Sequence, residues 1–159
     1  MNTRPSPFLE ATLAPAFAPV NLPSPRQHIL VVDDDCYVRE LNAGVLIRSG
    51  YQVDTAANGL DAWRALHADQ YDLLITEEQM PWVSGLELIQ RLRAEAMLLP
   101  VILASGLPPL NEWNQPPGLH IQAMVTKPCS LALLLKTVRT VLAGTEAHPA
   151  SPGQPDINR

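Results

Sequence analysis

The stretch that decides the fold reads Ile29-Leu30-Val31-Val32-Asp33-Asp34-Asp35. Four apolar residues in unbroken succession, ending abruptly in three acids, suit a parallel strand buried on both faces rather than a half-exposed strand with alternating polarity. Outward from it, Val38, Leu41, Val45 and Leu46 recur on one side of a helix that closes at Ser49-Gly50, with Gly50 a natural C-terminal cap. Tyr51-Gln52-Val53-Asp54-Thr55-Ala56 alternates like a strand nearer an edge. Asn58 can cap a second helix carrying Leu60, Trp63 and Leu66. Asp72-Leu73-Leu74-Ile75-Thr76 is a third strand, Leu86, Leu88, Ile89 and Leu92 mark a third helix, and Pro100-Val101-Ile102-Leu103-Ala104 is a fourth strand. From Gly106 to His120, Pro108-Pro109 and Pro116-Pro117 leave room only for a shortened fourth helix around Leu110–Gln115. A fifth strand, Ile121–Thr126, precedes a helix with Leu131, Leu134, Leu135, Val138 and Leu142 at helical spacing. Five βα units imply an open parallel sheet with helices on both faces, joined by right-handed crossovers. In such sheets a site forms at the carboxyl ends of the strands, near the switch in strand order.

The bulk composition agrees with this pattern. A chain of 159 residues is a one-domain length that can build a core without staples. Hydrophobic residues at 47% against 17% charged suit an α/β protein with buried strands. A net charge of −5 argues against nucleic-acid binding, which needs a basic surface to displace counterions. Cys36 and Cys129 are too few for a disulfide framework and read as reduced thiols. The apolar runs fall far short of the ~20 residues that span a bilayer. Pro15, Pro19, Pro23 and Pro25 break up the amino-terminal segment, so no signal peptide or membrane anchor is expected and the protein reads as cytoplasmic. Six of the sixteen prolines lie between Met1 and Arg26, and Pro149, Pro152 and Pro155 follow Gly144. Residues 1–27 and 144–159 therefore read as disordered tails around a domain spanning 28–143. Phe8, Leu9, Leu13 and Phe17 make the first tail a candidate docking segment.

The chemistry-bearing residues stand at the strand ends. Strand one ends in Asp33-Asp34-Asp35, strand three in Glu77-Glu78, strand four in Ser105 and strand five in Lys127-Pro128. Each alone has a bland reading: Asp34 or Asp35 can be a helix N-cap, and a single strand-end Ser or Lys is usually solvated. Their conjunction says more. Like charges packed together cost energy unless a cation offsets them, so an acidic cluster facing a lysine suggests a metal or phosphoryl site.

On these residues the chain resembles the receiver domain of bacterial two-component response regulators. The resemblance spans His28 to Ala143. It rests on Val31-Val32-Asp33-Asp34-Asp35, on Met80-Pro81 followed by Ser84-Gly85, on Pro100-Val101 with Ser105 five residues after the proline, and on Lys127-Pro128 at the matching distance from Ser105. It implies a flavodoxin-like (βα)5 three-layer sandwich with a five-stranded parallel sheet, acting in phosphorelay signalling and without enzymatic activity of its own. It also implies Mg²⁺ held by Asp33, Asp34, the acceptor position and the backbone carbonyl of Gln79, since hard oxygen donors suit that ion. Lys127 would contact phosphoryl oxygens and Ser105 would swing toward the phosphoryl group. Implied partners are a histidine kinase or a downstream signalling protein, with no nucleic acid or membrane and a monomeric or weakly dimeric state. Because only 16 residues follow Ala143, a stand-alone receiver is expected.

One departure bears on mechanism. The family's phosphate-accepting aspartate falls three residues before the Met-Pro pair, and here that residue is Glu77. The extra methylene moves the carboxylate by about 1.5 Å, and a misplacement of ~1 Å can cost ~10²-fold in phosphoryl-transfer rate. A non-phosphorylatable or phosphomimetic receiver is therefore expected, with Mg²⁺ bound weakly. Glu77 either mimics the phosphoryl group toward Lys127 and Ser105, with one negative charge against about two, or simply pairs with Lys127. Met124 stands where an aromatic is common, and the shortened fourth helix suggests a remodelled output surface. Trp82 reads as either an exposed contact beside the site or an inward-packing residue, Trp63 as core, and Trp113 stays open. The competing reading is an Mg²⁺-dependent haloacid-dehalogenase-like phosphohydrolase, with Asp33 as nucleophile, Asp35 as general acid, and Ser105 and Lys127 steadying the phosphoryl group. That scheme lacks its further acidic pair, since Glu146 and Asp156 are the only acids beyond Lys127.

Overall fold

In the computed structural model, which describes residues 26–106 and 118–146, five short strands lie side by side: β1 His28–Val32, β2 Gln52–Ala56, β3 Leu73–Glu77, β4 Val101–Ser105 and β5 Ala123–Thr126. All neighbours are parallel, in the order β2-β1-β3-β4-β5. The described helices are α1 Cys36–Arg48, α2 Gly59–Ala68, α3 Gly85–Ala94 and α4 Leu131–Glu146. The expected α/β sandwich is present.

Strand alternation sorts the apolar residues onto two faces. Leu30, Val32, Leu74 and Leu103 point to one side and pack with Leu66 of α2 and Leu88, Ile89 and Leu92 of α3. Ile29, Val31, Ile75 and Ile102 point to the other and pack with Leu46 of α1 and Leu134, Val138 and Leu142 of α4. The continuous apolar runs of β1, β3 and β4 thus have a physical cause, a helix layer on each side. Each fully buried Leu or Ile contributes about 2 kcal/mol of transfer free energy before entropic costs.

The helix ends follow the local chemistry. The Asn58 side chain accepts a hydrogen bond from the Asp61 amide at 2.8 Å and starts α2, while Ser84 accepts one from Glu87 and starts α3. Gly50, at φ 98°, turns the chain out of α1 in the left-handed region where a side chain would be strained. Arg93 ties the far end of α3 to two other segments. Its guanidinium donates to the carbonyls of Met97, Leu99, Leu119 and His120. Burial pulls its pKa below the ordinary arginine value.

Several sequence expectations need correction. The helical spacing places Leu41 and Leu60 on buried faces, but both are exposed, and Ala43 and Ala62 take core positions. β5 begins at Ala123 rather than Ile121, since the Gln122 side chain accepts the Val101 amide at 2.6 Å in place of a ladder carbonyl. The last helix runs to Glu146, three residues past Ala143. The shortened helix around Leu110–Gln115, Trp113, and most of both tails lie outside the described residues.

Candidate functional site

Asp33 follows β1, Glu77 ends β3, Ser105 ends β4 and Lys127 follows β5, so the topology gathers them at the carboxyl edge of the sheet. β1 lies beside both β2 and β3, and the strand order reverses there. Asp33, Glu77 and Ser105 are buried, at 3%, 6% and 2% exposure. Lys127 is anchored by its own backbone, its amide donating to the Ser105 carbonyl at 2.8 Å.

The Lys127 ammonium bridges two carboxylates. Its Nζ donates to Asp33 Oδ2 at 2.7 Å and also contacts Glu77 Oε2. The other carboxylate oxygens are engaged as well. Asp33 Oδ1 accepts the Asp35 amide at 3.0 Å, and Glu77 Oε1 accepts the amides of Glu78 at 2.8 Å and Gln79 at 3.0 Å. Burial lowers the Lys127 pKa, but the hydrogen bonds and charges of Asp33 and Glu77 outweigh this and hold it above the ordinary lysine value.

Close packing positions Glu77. A Cβ at Gly85 would lie 2.2 Å from the Glu77 carbonyl oxygen, so the first turn of α3 can approach β3 only as glycine. The Gly85 amide also donates to the Glu78 carbonyl at 2.9 Å.

The remaining candidates differ in exposure and in what they contact. Asp34 and Gln79 are exposed. Asp35 caps α1, its Oδ1 accepting the amides of Tyr37 and Val38 at 2.9 and 3.2 Å, so it is committed to the helix rather than to acid catalysis. Glu78 lines a shallow depression with Met80, Pro81 and Ser84 that includes neither Asp33 nor Lys127. Met124 and Trp63 are partly buried against the core.

Two features had no decisive sequence signal. Arg39 donates to the Asp33 backbone carbonyl at 2.6 Å, a contact that depends on the rise of α1 over β1. Trp82 was open between two placements, and the structure shows it 82% exposed. It sits at φ 65° in a γ-turn closed by the Val83 amide on the Pro81 carbonyl at 2.8 Å, a strained position for a residue with a side chain.

The two buried carboxylates are engaged by an ammonium in this structure. Among the described residues no group of three or more His, Cys, Asp or Glu side chains is arranged to hold a metal; Asp33 and Glu77 converge on Lys127 instead.

Known proteins share this fold. Residues 29–139 match the family model described as the response regulator receiver domain. The chain is 34% identical over 116 residues to the probable transcriptional regulatory protein SilR of Salmonella typhimurium, covering 72% of this chain and 50% of that protein. It is 30% identical over 138 residues to the alkaline phosphatase synthesis transcriptional regulatory protein SphR of Synechococcus elongatus, covering 80% and 53%. The crystal structure of a response regulator receiver protein from Pseudomonas putida superposes with a TM-score of 0.67 at 31% identity, covering 74% of this chain and 98% of that one. The chain spans about half the length of these two curated relatives. No helix among the described residues is long and apolar enough to cross a membrane.

Proposed function

The chain belongs to the response regulator receiver domain family, and from that premise we propose that it is an atypical receiver of two-component signalling whose acceptor position is permanently filled by its own carboxylate. The observation that carries this reading is the engagement of both Glu77 oxygens. Two backbone amides and the Lys127 ammonium form a pocket of donors suited to an anion, and Glu77 occupies it. A carboxylate so held is fixed in place by its donors, and its extra methylene displaces it from the in-line position. The domain then works by presenting one fixed surface to partner proteins, a histidine kinase or a downstream signalling protein, and not by catalysis. The hydrolase alternative loses its general acid, because Asp35 is spent on the α1 cap.

Mg²⁺ binding in this reading is weak. Asp33 and Glu77 would hold the ion only after Lys127 withdrew, with Asp34 and the Gln79 carbonyl completing an oxygen set. Bound there, the ion would supply charge neutralisation, a role that Lys127 already fills.

The test is exposure to acetyl phosphate with Mg²⁺, comparing this protein with Glu77→Asp by intact mass. Gain of one phosphoryl group by the aspartate variant alone is the expected result. Phosphorylation of the parent chain at Glu77 would overturn the reading. Failure of both proteins to react would mean that the pocket has lost phosphotransfer beyond residue 77.

A further inference from the structure

The face opposite the site carries an unexplained groove of mixed lining, in which an apolar floor and turn are bordered by Gln27, Asp69, Asp72 and Gln122. It lies where the strands begin, has a volume of about 1350 Å³, and includes Arg26, Leu66, Tyr71, Leu98, Leu99 and Leu142 in its lining. Leu66 and Leu142 are buried beneath it, whereas Leu98 is 75% exposed. Leu98 belongs to the α3–β4 connection Ala96-Met97-Leu98-Leu99-Pro100, an unusually apolar run for a surface turn. Loops are polar where water is their only neighbour, and contiguous exposed apolar surface marks a contact site.

The position of the chain selects the occupant. Arg26, the first described residue, itself lines the groove, so the preceding 25 residues start from its rim. That segment carries Phe8, Leu9, Leu13 and Phe17, with Leu9, Leu13 and Phe17 recurring every fourth residue. The other end of the chain also leaves beside the groove, at Gly144 and Thr145. Residues 147–159, however, offer only Ile157 as a large aliphatic side chain and no aromatic one. Residues 18–25, with Pro19, Pro23 and Pro25, form a spacer of roughly 25 Å when extended at ~3.1 Å per residue. A ligand tethered at this length experiences an effective concentration on the order of millimolar, which lets a modest apolar contact persist.

We propose that the amino-terminal segment Phe8–Phe17 folds back into this groove, its phenylalanine and leucine side chains covering Leu98 and Leu99. The groove lies at the amino edge of the sheet, remote from Glu77 and Lys127. The contact does not depend on the chemistry proposed for Glu77.

Composition supplies a clean test. The chain contains two phenylalanines, Phe8 and Phe17, so every phenylalanine ring signal comes from this segment. In the full-length protein with ring-labelled phenylalanine and labelled leucine methyls, the expected result is nuclear Overhauser contacts from the rings to the methyls of Leu66, Leu98, Leu99 or Leu142. These contacts should be independent of protein concentration and lost in both Phe17→Ser and Leu98→Asp. Because Leu98 is exposed, the second variant keeps its fold, verified by unchanged Leu46 and Leu88 methyl signals. Random-coil phenylalanine shifts without contacts would overturn the proposal. So would contacts to Leu41 or Leu134 on the other helix layer, or contacts between labelled and unlabelled copies in a mixed sample, which would make a second molecule the occupant.

Discussion

Lys127 sets one ammonium against two buried carboxyl groups. Replacing it by methionine keeps the apolar stem but leaves Asp33 and Glu77 facing each other without a cation. Breaking a buried pair from one side is costly, and Lys127→Met is expected to lose about 3 kcal/mol of stability, measured by urea unfolding. The same variant frees Asp33 Oδ2 and Glu77 Oε2 for a divalent ion. Millimolar Mg²⁺ should therefore raise its thermal midpoint more than that of the parent; an equal response in both proteins would mean that the ammonium does not compete for the ion. Part of this site was legible in the sequence. Strand-end positions placed Asp33, Glu77 and Lys127 on one edge, because parallel topology dictates where strands finish. The bridging of both acids by one lysine was not legible, since it depends on how far Lys127 extends past the end of β4. Asp35 could be read two ways because the same residue type serves as cap and as acid, and only the positions of the Tyr37 and Val38 amides decide between them.

Between elements, α2 and α3 are joined at their exposed ends through a histidine. His67 Nδ1 lies 2.8 Å from the Trp63 carbonyl and Nε2 lies 2.8 Å from Glu95 Oε2. Both partners are acceptors, so the doubly protonated ring satisfies both. The carbonyl of Trp63 and then the Glu95 carboxylate raise the pKa of His67 above its ordinary value of 6.5. A group whose pKa is raised on folding stabilises the fold fully below its unfolded value and loses that contribution as pH climbs through the folded value. The urea midpoint of the parent should exceed that of His67→Gln most clearly below the ordinary histidine value of 6.5. The gap should shrink on the alkaline side. A gap that widened there would assign the effect to packing of the imidazole on Trp63. The helices themselves were legible from periodicity and caps, whereas Leu41 and Leu60 were misplaced. Periodicity defines a stripe about a helix, but which edge of that stripe meets the sheet is set by the packing, here with Ala43 and Ala62 inside.

Across the whole molecule, burial is graded from the centre of the sheet outward. β3 and β4 are buried along their full lengths, β1 almost so, while β2 and β5 at the edges are largely exposed or half-buried. Native-state hydrogen exchange should follow this order. The amides of Leu74, Ile75, Ile102 and Leu103 are expected to exchange only through global unfolding, and those of β2 and β5 through lower-energy openings. Uniform protection across all five strands would contradict the gradient. Fold class was legible because unbroken apolar runs and alternating runs mean different degrees of coverage. The start of β5 was not, since Gln122 replaces a backbone partner with its side chain.

The Arg93 cluster and the Glu77 pocket belong to one circuit. From Glu77 the backbone passes to Gly85, pressed against it at the head of α3; α3 carries Arg93; Arg93 grips Leu119 and His120; from there the chain runs through β5 to Lys127, which returns to Glu77. Such a circuit is a closed loop, part covalent chain and part side-chain contact. The loop thereby joins the far end of α3 to the Lys127–Glu77 contact through a continuous run of packed and hydrogen-bonded groups.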